Sequence, residues 1–309
     1  MSPPPGRSIF VQGLLTRLDE VLTGAYLVLL VGLGIWRGAP IFEDIRASGL
    51  AWRTLQFVGT AMLISVVLFR GRIVNLLGDW LPFVLALMTY EGLKHMHATA
   101  LTTALGIQPI DWLLVRMDQV LFGGQAHEIA GRVIDGSYPV LFALKFFYAA
   151  YYFLPCLVLG YLYFLNDGRT FFLVRRAVVL CLYGGYLMYV LLPATGPQFE
   201  VARLGQAPTG VLHAYTYAME HLRYQFDCFP SLHTALPWTL TVMSWPYLPR
   251  LMRLGLVICA AGSTAATIGL GFHYGIDVIG GLAWCAIVVW LALWTMRGVR
   301  PTHLPQGLS

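Results

Sequence analysis

CFPSLHTALP, residues 228–237, sets a serine and a histidine two apart, just after a proline, where a long polar loop gives way to an apolar run. Hydrogen-bonding side chains at the mouth of an oily segment need a reason. Downstream, the apolar run ends at a proline-rich turn, PYLPRLMR (246–253), and a second apolar run returns to GLGFHYGIDVIGG (269–281). If both runs are membrane helices, they form a hairpin that brings Ser231 and His233 to the depth of His273 and Asp277, although some forty residues of chain lie between them.

Composition supports membrane helices. The 309-residue chain is 58% hydrophobic and 11% charged, against roughly 25% charged for a soluble domain, and its mean hydropathy is +0.68. A helix needs about 20 mostly apolar residues to cross the hydrocarbon core. Such runs fall at about 21–37, 51–69, 80–97, 138–165, 170–192, 231–246, 251–271 and 273–296. The expected fold is therefore an all-α polytopic bundle of about eight spans. The run from Ser231 is short and holds Pro237, which is tolerated where neighbouring helices rescue its backbone groups. The polar first twenty residues do not resemble a cleaved signal peptide. The net charge of +5 is scattered, with lysine only at positions 94 and 145, and no basic run marks a nucleic-acid partner.

Two long loops, about 98–137 and 193–230, are separated by an even number of spans and are expected on one face. The first contains IDWLLVRMDQVLF (110–122), apolar at helical spacing: either a helix lying in the membrane interface or one packed over the bundle. Arginine placement orients the chain. With a cytoplasmic N-terminus, Arg70, Arg72, Arg169, Arg175, Arg176, Arg250 and Arg253 fall inside with few acids, among them Asp19 and Asp79. The opposite loops hold more acids than bases. Both termini are then cytoplasmic, and the loops bearing the motifs face outward.

His273 and Asp277, spaced i,i+4, share one helical face if the last span begins near His273. The carboxylate then accepts from one imidazole nitrogen and leaves the other as a lone pair, which is the base-plus-orienter half of a nucleophilic constellation. An aspartate in an apolar helix is costly unless paired or functional. Pro230 suits a first helical turn, whose amides and dipole favour an anion, with the Ser231 hydroxyl as a further donor. His233 is a second proton carrier. Taken singly, Ser231 reads as a helix cap and either histidine as structural; their convergence with an intramembrane aspartate points to a catalytic site. The five cysteines give no disulfide framework or metal site, since four lie in apolar runs and Cys228 has no loop partner. In YEGLKHMH (90–97), His95 and His97 do not share a helical face, so no metal is assigned there either.

PSLH (230–233) and HYGID (273–277), in this order with a hairpin between, resemble the second and third signatures of the type-2 phosphatidic acid phosphatase superfamily. The resemblance covers roughly 80–296, with the last six spans as its six-helix core, preceded by two peripheral spans in 1–79 and followed by a tail, 297–309. Where that family carries Ser-Arg ahead of its last histidine, this chain has Ala266 and Thr267. Where the first signature has lysine and Arg-Pro, this chain has Tyr189 and Gly196-Pro197. The substituted pattern, LLPATGP then FPSLH then HY-x-x-D, is similar to the inositol phosphorylceramide synthase-like branch. The resemblance implies a lipid phosphatase or headgroup phosphotransferase of the plasma (inner) membrane that works without metal or cofactor on a lipid phosphate. His273 would be nucleophile, Asp277 its orienter, His233 the proton carrier and Ser231 a phosphate ligand. The missing cations leave Lys94, Arg116, Arg203 and Arg223 as candidate phosphate partners, with Lys94 alternatively paired to Glu91. The Gly196-Pro197 turn is a candidate source of backbone donors. A transporter or scaffold that retains the fold is the alternative. The oligomeric state is not legible.

Overall fold

A computed structural model of the chain describes residues 18–36, 72–95, 106–134, 137–166, 168–197 and 226–296. Among the described residues the chain forms nine α-helices: α1 (Leu18–Trp36), α2 (Arg72–His95), α3 (Asp111–Phe122), α4 (Ala126–Ile134), α5 (Tyr138–Leu165), α6 (Gly168–Leu191), α7 (Leu232–Ser244), α8 (Arg250–Gly269) and α9 (Gly275–Met296). An isolated bridge, Ala194 to Asp227, joins two loop segments. Among the described residues, four helices are long and apolar enough to cross a membrane, Tyr138–Leu165, Thr170–Leu191, Arg250–Gly269 and Gly275–Thr295. They match the expected runs to within a residue or two at each end. The expected span at 51–69 lies outside the described residues.

Burial sorts these helices. In α6, 67% of the apolar window is buried, against 22% in α5. Accordingly α6 is the central helix, packed on α1, α2, α5, α7 and α9. α5 turns Phe142, Phe146, Phe153 and Leu157 outward and keeps Tyr148, Leu154, Val158 and Leu162 inside, as expected of a lipid-facing helix. α7 is different. Its 13 residues rise about 20 Å, short of the ~30 Å hydrocarbon core, and it is enclosed by α5, α6, α8 and α9. Two of its polar side chains bond within the helix: Thr241 Oγ1 donates to the carbonyl of Pro237 at 2.8 Å and Ser244 Oγ to that of Leu240 at 2.6 Å. The carbonyl that Pro237 frees is that of His233, four residues earlier, and Ser263 Oγ of α8 donates to it at 2.8 Å, as a proline in a buried helix requires.

The end of the bundle away from the motifs is tied by charge. Arg175 Nε donates to Asp19 Oδ2 at 2.8 Å, its other nitrogens reach Asp19 and the Asp79 carbonyl, and Arg176 lies 3.7 Å from Asp19. Asp19, Arg175 and Arg176 are all buried. Arginine placement puts these charges at the cytoplasmic end; in the structure they are a buried clamp joining α1, α2 and α6.

At the motif end, the stretch expected as either an interfacial or a packed helix is α3, and it packs against α9. Two carboxylates make the contact. Asp118, fully buried, accepts from the Gly275 and Ile276 amides at 2.9 and 2.8 Å and from the Ala126 amide at 3.2 Å. One side chain therefore satisfies donors at the starts of both α4 and α9, where amides lack intrahelical partners and a negative charge is favoured. Asp111, at the start of α3, accepts from the Thr195 amide and hydroxyl, the Gly196 amide and the Tyr274 hydroxyl, all within 3.2 Å. The outer side of α3, with Trp112, Val120 and Leu121, stays exposed. The described parts of the two long loops, α3 with the 194–197 and 226–230 segments, thus meet at one end of the bundle.

Asp118→Ala removes the acceptor of three amides. Thermal unfolding in detergent is expected to show a loss of about 2–4 kcal/mol, with Asp118→Asn losing less. An unchanged midpoint for the alanine variant would show that α3 does not hold the start of α9.

Candidate active site

Ser231 is the residue before α7, but its side chain makes no capping bond. Its carbonyl accepts from Thr234 and Ala235, its hydroxyl accepts from Thr234 Oγ1 at 3.3 Å, and its amide donates to the carbonyl of Asp277 at 3.1 Å. Pro230 therefore lies outside the helix rather than in its first turn. The start of α7 is stitched to the first turn of α9, and glycine makes this possible: a Cβ on Gly281 would come within 2.5 Å of the Ser231 carbonyl oxygen.

Asp277 sits in the first turn of α9, three residues after Tyr274, whose amide it accepts at 2.8 Å through Oδ2. That is the reach-back half of a capping box. His273 lies before the helix rather than on it, and its amide and that of Phe272 donate to the Thr267 carbonyl at 3.1 and 3.0 Å. The expected i,i+4 pair thus forms, but between a loop residue and a helix residue: His273 Nδ1 is 3.4 Å from Asp277 Oδ2, and both groups are buried. With Nδ1 facing the carboxylate, Nε2 is the nitrogen left for chemistry.

The second histidine arrives as the hairpin requires. The rings of His233 and His273 are 6.5 Å apart between centroids. The His233 carbonyl accepts from Ser263 Oγ of α8 at 2.8 Å. Its ring stacks on Tyr148 at 4.0 Å and 13° and on Tyr151 at 3.9 Å and 25°. Two near-parallel rings so close can only lie on opposite faces of the imidazole.

Several participants escaped the sequence reading. Cys228, expected to have no loop partner for a disulfide, is fully buried, donates to Asp277 Oδ2 at 2.8 Å and lies 3.5 Å from His273 Nδ1. Nothing in the spacing of a lone loop cysteine signals this. Tyr148 and Tyr151 stand three apart in FFYAAYYF (146–153), a helical spacing that was available but pointed to no partner. Cys228, His273 and Asp277 offer ligand atoms all within 4.8 Å of one another, a thiolate–imidazole–carboxylate set of the kind that suits zinc. In the structure these atoms bond to one another.

Gly196 has φ +88, and a Cβ there would approach the Phe272 carbonyl oxygen to 2.9 Å and Cys228 Sγ to 3.0 Å. Its amide is engaged by Asp111. Lys94 falls in the last turn of α2, but its side chain lies outside the described residues, as do Glu91, Arg203 and Arg223 in full or in side chain. Arg116 is exposed on α3. Gly196→Ala is expected to lower stability by about 1–3 kcal/mol through backbone strain and to displace the His273 segment. A fall in the unfolding midpoint together with lost activity checks this; an unaltered midpoint and activity would contradict it.

No curated protein and no solved structure matches the chain. A family model described as the PAP2 superfamily matches residues 112–291, which runs from the first turn of α3 through the hairpin to most of α9 and so takes in both histidines, Ser231 and Asp277. Over more than half its length, including the whole of this site, the chain belongs to the PAP2 superfamily.

Proposed function

We propose that the protein is an integral membrane phosphoesterase that acts on a lipid-linked phosphate through a phosphohistidine on His273. Superfamily membership fits a phosphatase-type activity on a lipid phosphate in a membrane. The observation that carries the proposal is the buried His273–Asp277 contact of 3.4 Å with a second imidazole 6.5 Å from the first.

In the first step His273 Nε2 attacks phosphorus, the P–O bond to the lipid breaks, and His233 gives its proton to the departing oxygen. In the second, His233 takes a proton from the acceptor, the acceptor oxygen attacks phosphorus, and the N–P bond breaks. Asp277 accepts from Nδ1–H, fixing the tautomer and stabilising the imidazole as charge develops. Ser231 and the first-turn amides of α7 hold the phosphate oxygens, with Lys94 supplying charge from the end of α2. Gly196 serves by close backbone packing, since its amide is engaged.

Water as acceptor makes the protein a lipid phosphatase; a lipid or sugar hydroxyl makes it a headgroup transferase. The LLPATGP and Ala266-Thr267 substitutions favour the inositol phosphorylceramide synthase-like branch. In this reading the chain crosses the membrane about eight times, the last six spans form the core, both termini are cytoplasmic, and the site opens on the extracytoplasmic face of the plasma membrane. No metal takes part, because fixed donors meet the charge.

His273→Ala is expected to abolish phosphate release from phosphatidic acid by folded protein in detergent, and Asp277→Asn to lower it about 10²–10⁴-fold. Brief incubation with substrate labelled in the phosphate should leave acid-labile label on the wild type and none on His273→Ala. Near-normal turnover by folded His273→Ala would sink the assignment. Turnover should survive EDTA; loss in EDTA with recovery on added zinc would instead assign Cys228, His273 and Asp277 to a metal.

A further inference from the structure

Nothing in the superfamily signatures involves α5, yet the most intimate contacts of His233 come from that helix. Tyr148 and Tyr151 lie on one helical face, three residues apart, and cover the two faces of the imidazole at 4.0 and 3.9 Å. Tyr152 meets the same ring edge-on at 5.7 Å. Tyr148 is fully buried and also packs on Phe272 at 4.7 Å, the residue that precedes His273. One tyrosine therefore touches His233 and the backbone segment carrying the other histidine.

We propose that Tyr148 and Tyr151 are positioning residues: an aromatic clamp that holds the His233 ring edge-on to the scissile bond and sets its separation from His273. The inference rests on the phosphohistidine reading and adds to it the device that aims the proton donor. Three physical features argue for it. Rings on both faces remove the rotation that a partly exposed histidine would otherwise have, which is how a supporting shell keeps a reacting group in line. Electron-rich ring faces attract a cation, so the clamp favours the imidazolium that must deliver the proton. Stacking also occupies only the faces. A carboxylate partner would take up a ring nitrogen, whereas the two tyrosines engage only the ring faces. The two histidines are thus supported in different ways, His273 by a carboxylate at Nδ1 and His233 by aromatic faces, in keeping with nucleophile and acid roles.

The test exploits leaving-group chemistry. Phosphatidic acid expels an alkoxide that needs a proton, whereas p-nitrophenyl phosphate expels a phenolate that does not. Full-length Tyr148→Leu and Tyr151→Leu are compared with Tyr148→Phe and Tyr151→Phe in detergent on both substrates. With phosphatidic acid, kcat is expected to fall at least about tenfold in the leucine variants; with p-nitrophenyl phosphate the first-turnover burst of p-nitrophenolate, which reports the first step alone, should keep its rate within about twofold. The phenylalanine variants should resemble wild type on both, since the ring faces remain. His233→Ala should show the same selective loss in the first step and should lose steady-state turnover on both substrates, because His233 also activates the acceptor. Equal losses on both substrates, or no loss on either, would overturn the clamp while leaving the His273 mechanism standing. If Tyr148→Leu does not fold, the partly exposed Tyr151 carries the same comparison. Wild type inactive on both substrates, or active His273→Ala, would remove the underlying reading and the clamp with it.

Discussion

A carboxylate placed inside an apolar bundle must be satisfied where it stands, and the motif end of this protein is organised around that requirement at Asp277. Burying the charge costs several kcal/mol unless donors surround it. The start of α9 supplies part of the compensation through its dipole and the Tyr274 amide. The Cys228 thiol and the His273 imidazole meet the same oxygen, while the Asp277 backbone carbonyl takes the amide of Ser231. These contacts lock the loop before α7, the loop before α9 and α9 itself into one unit. Oδ1, by contrast, is buried with no hydrogen-bond partner among the described residues. A group this costly and only partly satisfied is better explained by chemistry than by stability.

Around that unit the fold divides its labour. α6 provides the central packing surface. α3 fixes the motif end of the bundle by a different means: Asp118 takes the amides that begin α9, and Asp111 grips the 195–196 turn together with the Tyr274 hydroxyl. Thr267, standing where the wider family has an arginine, is fully buried and holds the His273 segment through its carbonyl. The backbone of the His273 segment is thus fixed from the ends of three helices, and its ring is then set by Asp277 and Cys228.

What was legible in the sequence depended on length and polarity. The spans α5, α6, α8 and α9 are long apolar segments with polar ends, and lipid thickness alone delimits them. The hairpin followed from two such segments and a short turn, and with it the meeting of His233 and His273. Features set by contacts between distant segments were not legible. A helical spacing of four suggested that His273 and Asp277 share α9, but Asp277 caps that helix and His273 precedes it. Arginine placement put Asp19, Arg175 and Arg176 at the cytoplasmic end without pairing them, because nothing local shows that opposite charges from α1 and α6 will meet inside the bundle. Cys228 and the tyrosines of α5 acquire their partners only once four helices have packed.

The same contacts bear on how this chain meets an anion without the arginine that the wider family places at 196. The turn there adopts a left-handed conformation against the Phe272 carbonyl, with its amide committed to Asp111. A long side chain cannot occupy it without pushing away the segment that carries His273. Close approach of backbone to backbone and a guanidinium are therefore mutually exclusive at this position. In the proposed reaction the phosphate therefore meets donors from elsewhere: the amides at the start of α7, which are oriented by the Ser231–Asp277 stitch, and the His233 imidazole held between two tyrosines. Both lie on elements already tied to Asp277, so in the proposed reaction, recognition of the phosphate and the aim of the nucleophile depend on the same buried carboxylate.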